Sequence, residues 1–333
     1  MTVQQAFREA VKIIESDREK QKMQESKPVL TRNEWLAERR KGIGASEAAA
    51  VCGMAAGWGA TALEIYLDKI GELPAQPMNT AMKMGLALEP MLSDMYEEAT
   101  GRKLLIPAPL QHHKDYPFIM ANPDRVTEDG KTNTQLKTTA ERTDHWGDPG
   151  TDAIPEYYVI QVQQEMAVMD LQVTDLAVLF LRSKEFAVYT IPRNEELIAS
   201  IIEIETEFWQ EHVLKRIPPE PDFKHPSTIK LLQTMYPGIA DGKVLEVPPE
   251  SEQEVLDTIA MYKDASTRKS KADTDYKEHK AFLMGIMGDA AQLNVGSKYS
   301  VTRKPLHKDA YTVKEQNYVD LRIHDLNKPK KGK

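Results

Sequence analysis

Asn122-Pro123-Asp124 is followed, after ten residues, by Gln135-Leu136-Lys137. Two adjacent strands would set Asp124, Gln135 and Lys137 side by side. Residues 135 and 137 share a face because strand side chains alternate with a period of two. That arrangement suits a hard divalent cation and a water, since Mg²⁺ takes carboxylate and carbonyl oxygens and keeps several waters. A cation there polarises a phosphoryl group and lowers the pKa of water, and a lysine beside it can position the water or steady developing charge. Taken alone, Pro-Asp followed by x-x-Lys is common by chance. Asp124 can equally cap a turn after Pro123, and Lys137 can be an exposed strand lysine.

Elements of both kinds are needed to hold these residues. Residues 103–106, 118–126 and 132–139 read as strands punctuated by Pro, Asp and Gly. A helix over 79–100 precedes them, with Met84, Leu88, Met91, Leu92 and Met95 recurring every three to four residues. It carries Glu89, whose plainer reading is a solvated face residue. Pro155 opens a helix to about residue 168, as proline suits a first helical turn. On it Gln161 and Gln163 lie two apart and face different sides, so at most one enters a site. Strands over 174–181 and 186–191 and a long helix over 194–215 follow. The proline cluster at 218–221 is the expected domain boundary.

Earlier in the chain, residues 5–25 read as a charged helix, and a short one spans 34–40 with Asn33 as N-cap. Gly42-Ile43-Gly44 breaks the pattern, and Ser46 is expected to cap a helix over 47–52, leaving Cys52 buried and inert. A helix N-terminus with free N–H groups favours a phosphate. Residues 250–287 form a charged helical stretch, expected to break near 266–272, and 292–295 with 298–303 form a hairpin. The expected division is therefore an N-terminal extension over 1–30, a core over 31–222 and an appendage over 223–333.

Composition narrows the class. With 333 residues, 41% hydrophobic and 28% charged, the chain has enough apolar residues for a real core. No run approaches the ~20 apolar residues of a membrane span, and the first twenty residues lack the apolar core of a secretory signal. A single cysteine excludes a disulfide framework and a cysteine-rich zinc site, so a reducing interior is expected. The net charge of −8 conceals a basic C-terminal segment, where 298–333 holds ten Lys/Arg against four Asp/Glu. Such a tail is compatible with phosphate contacts, and equally with a solvated terminus. The pair His112-His113 is no metal site by itself, the methionines are core filler, and Trp58 is expected to pack in a loop.

The order of motifs carries a resemblance. RRKGIGASEAAAV begins at Arg39; Gly85-x-x-x-Glu89, Asn122-Pro-Asp124, x-x-Lys137 and Gln161-Val-Gln163 follow in turn. Over about 34–170 this is similar to the YqaJ-type viral recombinases, the family that includes phage lambda exonuclease. The resemblance implies an α/β, restriction-endonuclease-like PD-(D/E)xK fold with a mixed central sheet flanked by helices. It implies that Asp124 is the central Mg²⁺ (or Mn²⁺) ligand, joined by Glu89, residue 135 and the carbonyl of Leu136. Lys137 is the catalytic lysine, and Gln163, with Gln161 as the weaker candidate, orients substrate or water. Arg39 and Ser46 hold the 5′-phosphate of a DNA end, with Arg40 as the alternative arginine. Asp115 matches a further acidic position, one residue out of spacing.

Gln135 departs from the pattern, since the family has an acidic residue there. It is either a natural variant that still ligates the cation, or a Glu→Gln replacement made to hold DNA without cutting it. The preserved shape and the intact remainder of the motif favour replacement, and the chain as written is expected to be a poor nuclease. The activity implied is Mg²⁺-dependent 5′→3′ digestion of one strand of linear duplex DNA by a homotrimer, leaving 3′ overhangs for a single-strand annealing protein in the cytoplasm of a phage-bearing bacterial host. An endonuclease or branched-structure nuclease on the same fold, and a non-catalytic DNA-binding scaffold, are the alternatives.

Overall fold

The computed structural model describes residues 32–57, 59–73, 78–238, 242–305 and 307. The expected helix over 5–25, Trp58 and the basic tail beyond 307 lie outside these. The described residues fall into two compact units, divided between Leu232 and Gln233. The division comes after the proline cluster and not at it, because Thr228 and Leu231 beyond the prolines are still buried.

The first unit opens with α1 (Arg32–Arg39), β1 (Ile43–Gly44), α2 (Ala45–Val51), α3 (Ala62–Lys69) and α4 (Thr80–Thr100). There follow β2 (Leu104–Leu105), β3 (Gln111–His112), β4 (Ile119–Ala121), β5 (Arg125–Thr127) and β6 (Thr132–Thr139). After them come α5 (Glu156–Met169), β7 (Val173–Phe180), β8 (Glu185–Pro192), α6 (Glu195–Glu207) continued by a π-helical turn over Phe208–Leu214, and α7 (Thr228–Met235). The central sheet has the order β2-β5-β6-β7-β8. Within this sheet, among the described residues, β6 and β7 alone pair in parallel, and α5 is the crossover helix that this pairing requires.

Alternation along the central strands covers the sheet on both faces. Leu176, Val178 and Phe180 of β7 pack with Val162 and Met166 of α5 and with Trp146. Ala177, one residue out of phase, packs with Leu136 of β6 and with Leu92 and Tyr96 of α4. A central sheet flanked by helices is thus the observed architecture. The apolar stripe expected on α4 is narrower than its spacing suggests, since Met84 and Met91 are exposed.

The strand expected over 118–126 is two strands in two sheets. β4 pairs with β1 and β3, whereas β5 joins the central sheet. The break falls at Asn122-Pro123-Asp124, where proline has no N–H to give a ladder. Gly42 permits the β1–β4 contact: Ile43 N–H donates to Phe118 O at 2.6 Å, and a Cβ on Gly42 would lie 2.2 Å from that same oxygen.

In the second unit, a 3₁₀ turn (Pro249–Ser251) leads into α8 (Glu252–Met287), followed by the hairpin of β9 (Gln292–Val295) and β10 (Tyr299–Thr302). The break expected near 266–272 is absent. Charged residues there pair one turn apart along the helix, as Arg268 with Asp264 and Lys277 with Asp273.

Candidate active site

The proline break places Asp124 at the mouth of the central sheet. Antiparallel pairing of Arg125 with Thr134 and Val126 with Asn133 brings Asp124 opposite the segment that begins at Gln135. The Leu136 N–H donates to Asp124 Oδ2 at 2.9 Å. That bond fixes one carboxylate oxygen against β6 and leaves Oδ1 for other partners. Arg125 Nη1 donates to the Asp124 carbonyl at 2.7 Å and lies 3.7 Å from Glu89 Oε2. Glu89 thus reaches the same spot from α4. Burial pushes its carboxyl above the ordinary range and the Asp124 charge adds to this, while Arg125 and Lys137 oppose it. Lys137, two residues past Gln135, holds its ammonium 5.8 Å from the centre of the Tyr158 ring.

Gln135 is 1% exposed. Its Oε1 accepts from Gln161 Nε2 at 3.2 Å, and the same Nε2 donates to Glu165 Oε1 at 2.8 Å. Gln135 Nε2 is buried with no hydrogen-bond partner. Turning the amide would set that Nε2 against the Gln161 donor instead. A carboxylate at 135 could accept from Gln161 through either oxygen.

Of the two glutamines, the structure brings Gln161 and not Gln163 to residue 135. Gln163 Nε2 donates to the Pro192 carbonyl and its Oε1 accepts from Asn194 N–H, at 2.8 and 2.9 Å. Two positions along a helix amount to a turn of ~200°, so Gln163 ties α5 to the β8–α6 junction while Gln161 faces β6. Asp115 is also not gathered in: it is exposed in the β3–β4 turn, beside the His113 ring to which its N–H donates at 3.2 Å.

Two residues at this site were missed in the sequence. Arg125 directly follows Asp124. Glu165, fully buried, accepts from Gln161 and from Asn133 Nδ2, the latter at 2.7 Å. Burial raises its carboxyl to about 7, against the Gln161 hydrogen bond and the charge of Lys137. The one available signal was Glu165 standing four residues after Gln161, on the same helix face.

A second cluster forms around β1. Arg39 Nη2 lies 2.7 Å from Glu47 Oε1 and 3.4 Å from Ser46 Oγ, with its guanidinium 4.9 Å from the Trp35 ring centre. Arg40 turns the other way, to Asp68 and the Leu73 carbonyl. Arg39 is therefore the arginine that meets Ser46. Ser46 is not the expected N-cap: α2 begins at Ala45 with Gly44 as its cap, and Glu47 Oε2 takes the Gly44 N–H at 2.8 Å. The Ser46 side chain is left on the surface. Cys52 is half-buried, its thiol pushed up to about 12 by burial and by the neighbouring Glu205.

The donors around Asp124 suit a hard cation in kind, being the carboxylates of Asp124 and Glu89, the amide oxygen of Gln135 and the Leu136 carbonyl. They fall short in charge. No group of three or more His, Cys, Asp or Glu that could hold a metal occurs among the described residues, and Gln135 supplies an uncharged amide there.

The YqaJ-like viral recombinase domain family matches residues 34–175. The uncharacterized protein YqaJ of Bacillus subtilis (strain 168) is 30% identical over 281 residues, covering 83% of this chain and 84% of that one. Among solved structures, an alkaline exonuclease (LHK-Exo) from Laribacter hongkongensis is 25% identical, with a TM-score of 0.44, over 55% of this chain and 96% of its own. A phage related exonuclease from Haemophilus somnus 129PT is 12% identical, with a TM-score of 0.40, over 53% and 96%.

Proposed function

The chain belongs to the YqaJ-like viral recombinase family, and from that premise we propose that it is a Mg²⁺-dependent 5′→3′ exonuclease of linear duplex DNA, impaired by Gln135. The observation that carries the reading is the Asp124–Leu136 hydrogen bond, which sets the carboxylate of Asp124 beside the segment bearing residue 135 and Lys137.

Asp124, Glu89, Gln135 and the Leu136 carbonyl would hold the Mg²⁺ (or Mn²⁺). When bound, the cation supplies positive charge to the scissile phosphate and acidifies water. The protein's own groups do the rest. Lys137 would place a cation over the region where charge develops, with its ammonium over the face of the Tyr158 ring. Gln161, held by Glu165, orients polar groups that approach residue 135. Arg39 and Ser46 take the terminal 5′-phosphate, which sets the register of the strand. The 3′ overhang left behind is the substrate of a single-strand annealing partner, and a trimer closed around the duplex would keep the enzyme on it. The setting is the cytoplasm of a phage- or prophage-bearing bacterium. Among the described residues no helix is long and apolar enough to cross a membrane.

The test uses the Gln135→Glu form with Mg²⁺, on linear duplex bearing 5′-phosphates and on closed circular duplex. Loss of the linear form to 5′-mononucleotides with the circle intact supports the reading; cutting of the circle favours an endonuclease. A second reading, a DNA-holding protein without catalysis, draws on Gln135 itself. It predicts that neither form cuts and that Mg²⁺ alters no step.

A further inference from the structure

Beside Arg39 lies a charged group that the proposed chemistry does not use. Lys69, at the end of α3, has a side chain 0% exposed, and its Nζ donates to Glu47 Oε2 at 2.7 Å and to the Arg39 carbonyl at 3.1 Å. Glu47 is the hub, taking Arg39 on Oε1 and both Lys69 and the Gly44 N–H on Oε2. Burial alone would raise the Glu47 carboxyl, but Lys69 and Arg39 together hold it below the ordinary range.

A buried lysine is costly unless paired, and the simplest apolar filling of this site would be a methionine. The electrostatics give the lysine a purpose. Arg39 paired with Glu47 alone is a neutral unit, a poor receptor for a phosphate dianion. With Lys69 on the far carboxylate oxygen, the three groups carry a net single positive charge, and the solvent-facing member is Arg39, its side chain 25% exposed. Glu205 on α6 would cancel that charge if ionised, yet it is fully buried with neither carboxyl oxygen hydrogen-bonded. Burial, reinforced by the Glu47 charge and only partly opposed by Lys69, raises its carboxyl well above the ordinary range.

We propose that Lys69 and Glu47 are positioning residues for end recognition: Glu47 aims Arg39 beside Ser46, and the buried Lys69 offsets Glu47 so that the pocket prefers a 5′-phosphate over a 5′-hydroxyl. This rests on the reading of Arg39 and Ser46 as the 5′-phosphate pocket. The ligand class is a terminal phosphomonoester, and the two residues act on it through Arg39 without touching the phosphate.

The test measures binding of the full chain, without divalent metal, to duplexes that differ only in carrying a 5′-phosphate or a 5′-hydroxyl. The readout is the ratio of the two Kd values. Lys69→Met is expected to lower that ratio by about tenfold, the effect of one charge acting on a nearby dianion near the surface, while the affinity for 5′-hydroxyl ends stays within about twofold. Adding Glu47→Gln to Lys69→Met restores the net charge and is expected to recover the ratio. A merely structural role would weaken both ends alike and leave the ratio unmoved, which would overturn the proposal, as would a double variant no better than Lys69→Met. Should Lys69→Met fail to fold, the double variant is compared with the parent, and a ratio lower by more than about fivefold overturns it. A parent chain with no preference for the 5′-phosphate would instead overturn the pocket reading beneath it.

Discussion

The Gln161 amide spans from α5 to β6, its Nε2 3.2 Å from Gln135 Oε1 and 2.8 Å from Glu165 Oε1, whereas Gln163 is spent on the β8–α6 junction. The two glutamines should therefore separate cleanly in the Gln135→Glu background. Gln161→Ala is expected to lower the cleavage rate by roughly 10- to 100-fold, in line with loss of an orienting dipole, with little change in Tm. Gln163→Ala removes a donor to the Pro192 carbonyl and an acceptor from the Asn194 N–H and is expected to cost about 1–2 kcal/mol of stability, with the rate retained well below Tm. Initial rates on linear duplex and thermal melts of both variants check this.

Cation binding should be visible without any cleavage. A ligand that binds the folded state alone raises Tm with its concentration. Mg²⁺ is expected to raise the Tm of the Gln135→Glu form more than that of the parent, because a carboxylate replaces an amide beside Asp124 and Glu89. Asp124→Asn should abolish the shift in both, while its side-chain oxygen still accepts from Leu136 N–H and keeps the fold. Melting curves across a Mg²⁺ titration, with and without chelator, measure the difference.

Glu165 gives the site a pH dependence of defined sign. Its folded pKa of about 7 lies above the ordinary 4.5 because of burial, so the native chain holds a proton that the unfolded chain releases. The stabilisation is fully present below about pH 4.5 and is lost as pH rises through 7, a change on the order of 3 kcal/mol. Glu165→Gln should remove that part of the slope. Asn133 can accommodate the new amide, as its Oδ1 is buried without a partner and can turn to accept. Denaturant unfolding from pH 4 to 8 in both forms is the check.

Elements whose pattern is local were legible in the sequence. The run at 132–139, set off by Asp129-Gly130, is β6 as observed, and the helix opened by Pro155 ends within a residue of the expected place. The break at Pro123 was not: reading 118–126 as one strand missed that chain direction changes there, and that change is what puts Asp124 beside β6. Residue types and spacing named Asp124 and Lys137 as candidates, the family resemblance added Glu89, and packing brings Glu89 within electrostatic reach of both. Spacing could not choose between Gln161 and Gln163, because the choice depends on which face of α5 meets β6. Arg125, Glu165 and Lys69 carry no motif and acquire meaning only from their neighbours across 36, 4 and 22 residues, as Glu89, Gln161 and Glu47.

The central claim is that the site is a nuclease site silenced at one position. The direct measurement compares the parent chain with Gln135→Glu on 5′-phosphorylated linear duplex with Mg²⁺, following both digestion and end binding. The account predicts that both bind the ends and that the Glu form digests them at least about 100-fold faster, the scale of a lost electrostatic contact at a reacting phosphate. Equal rates for the two forms, or no cleavage by either, would contradict it.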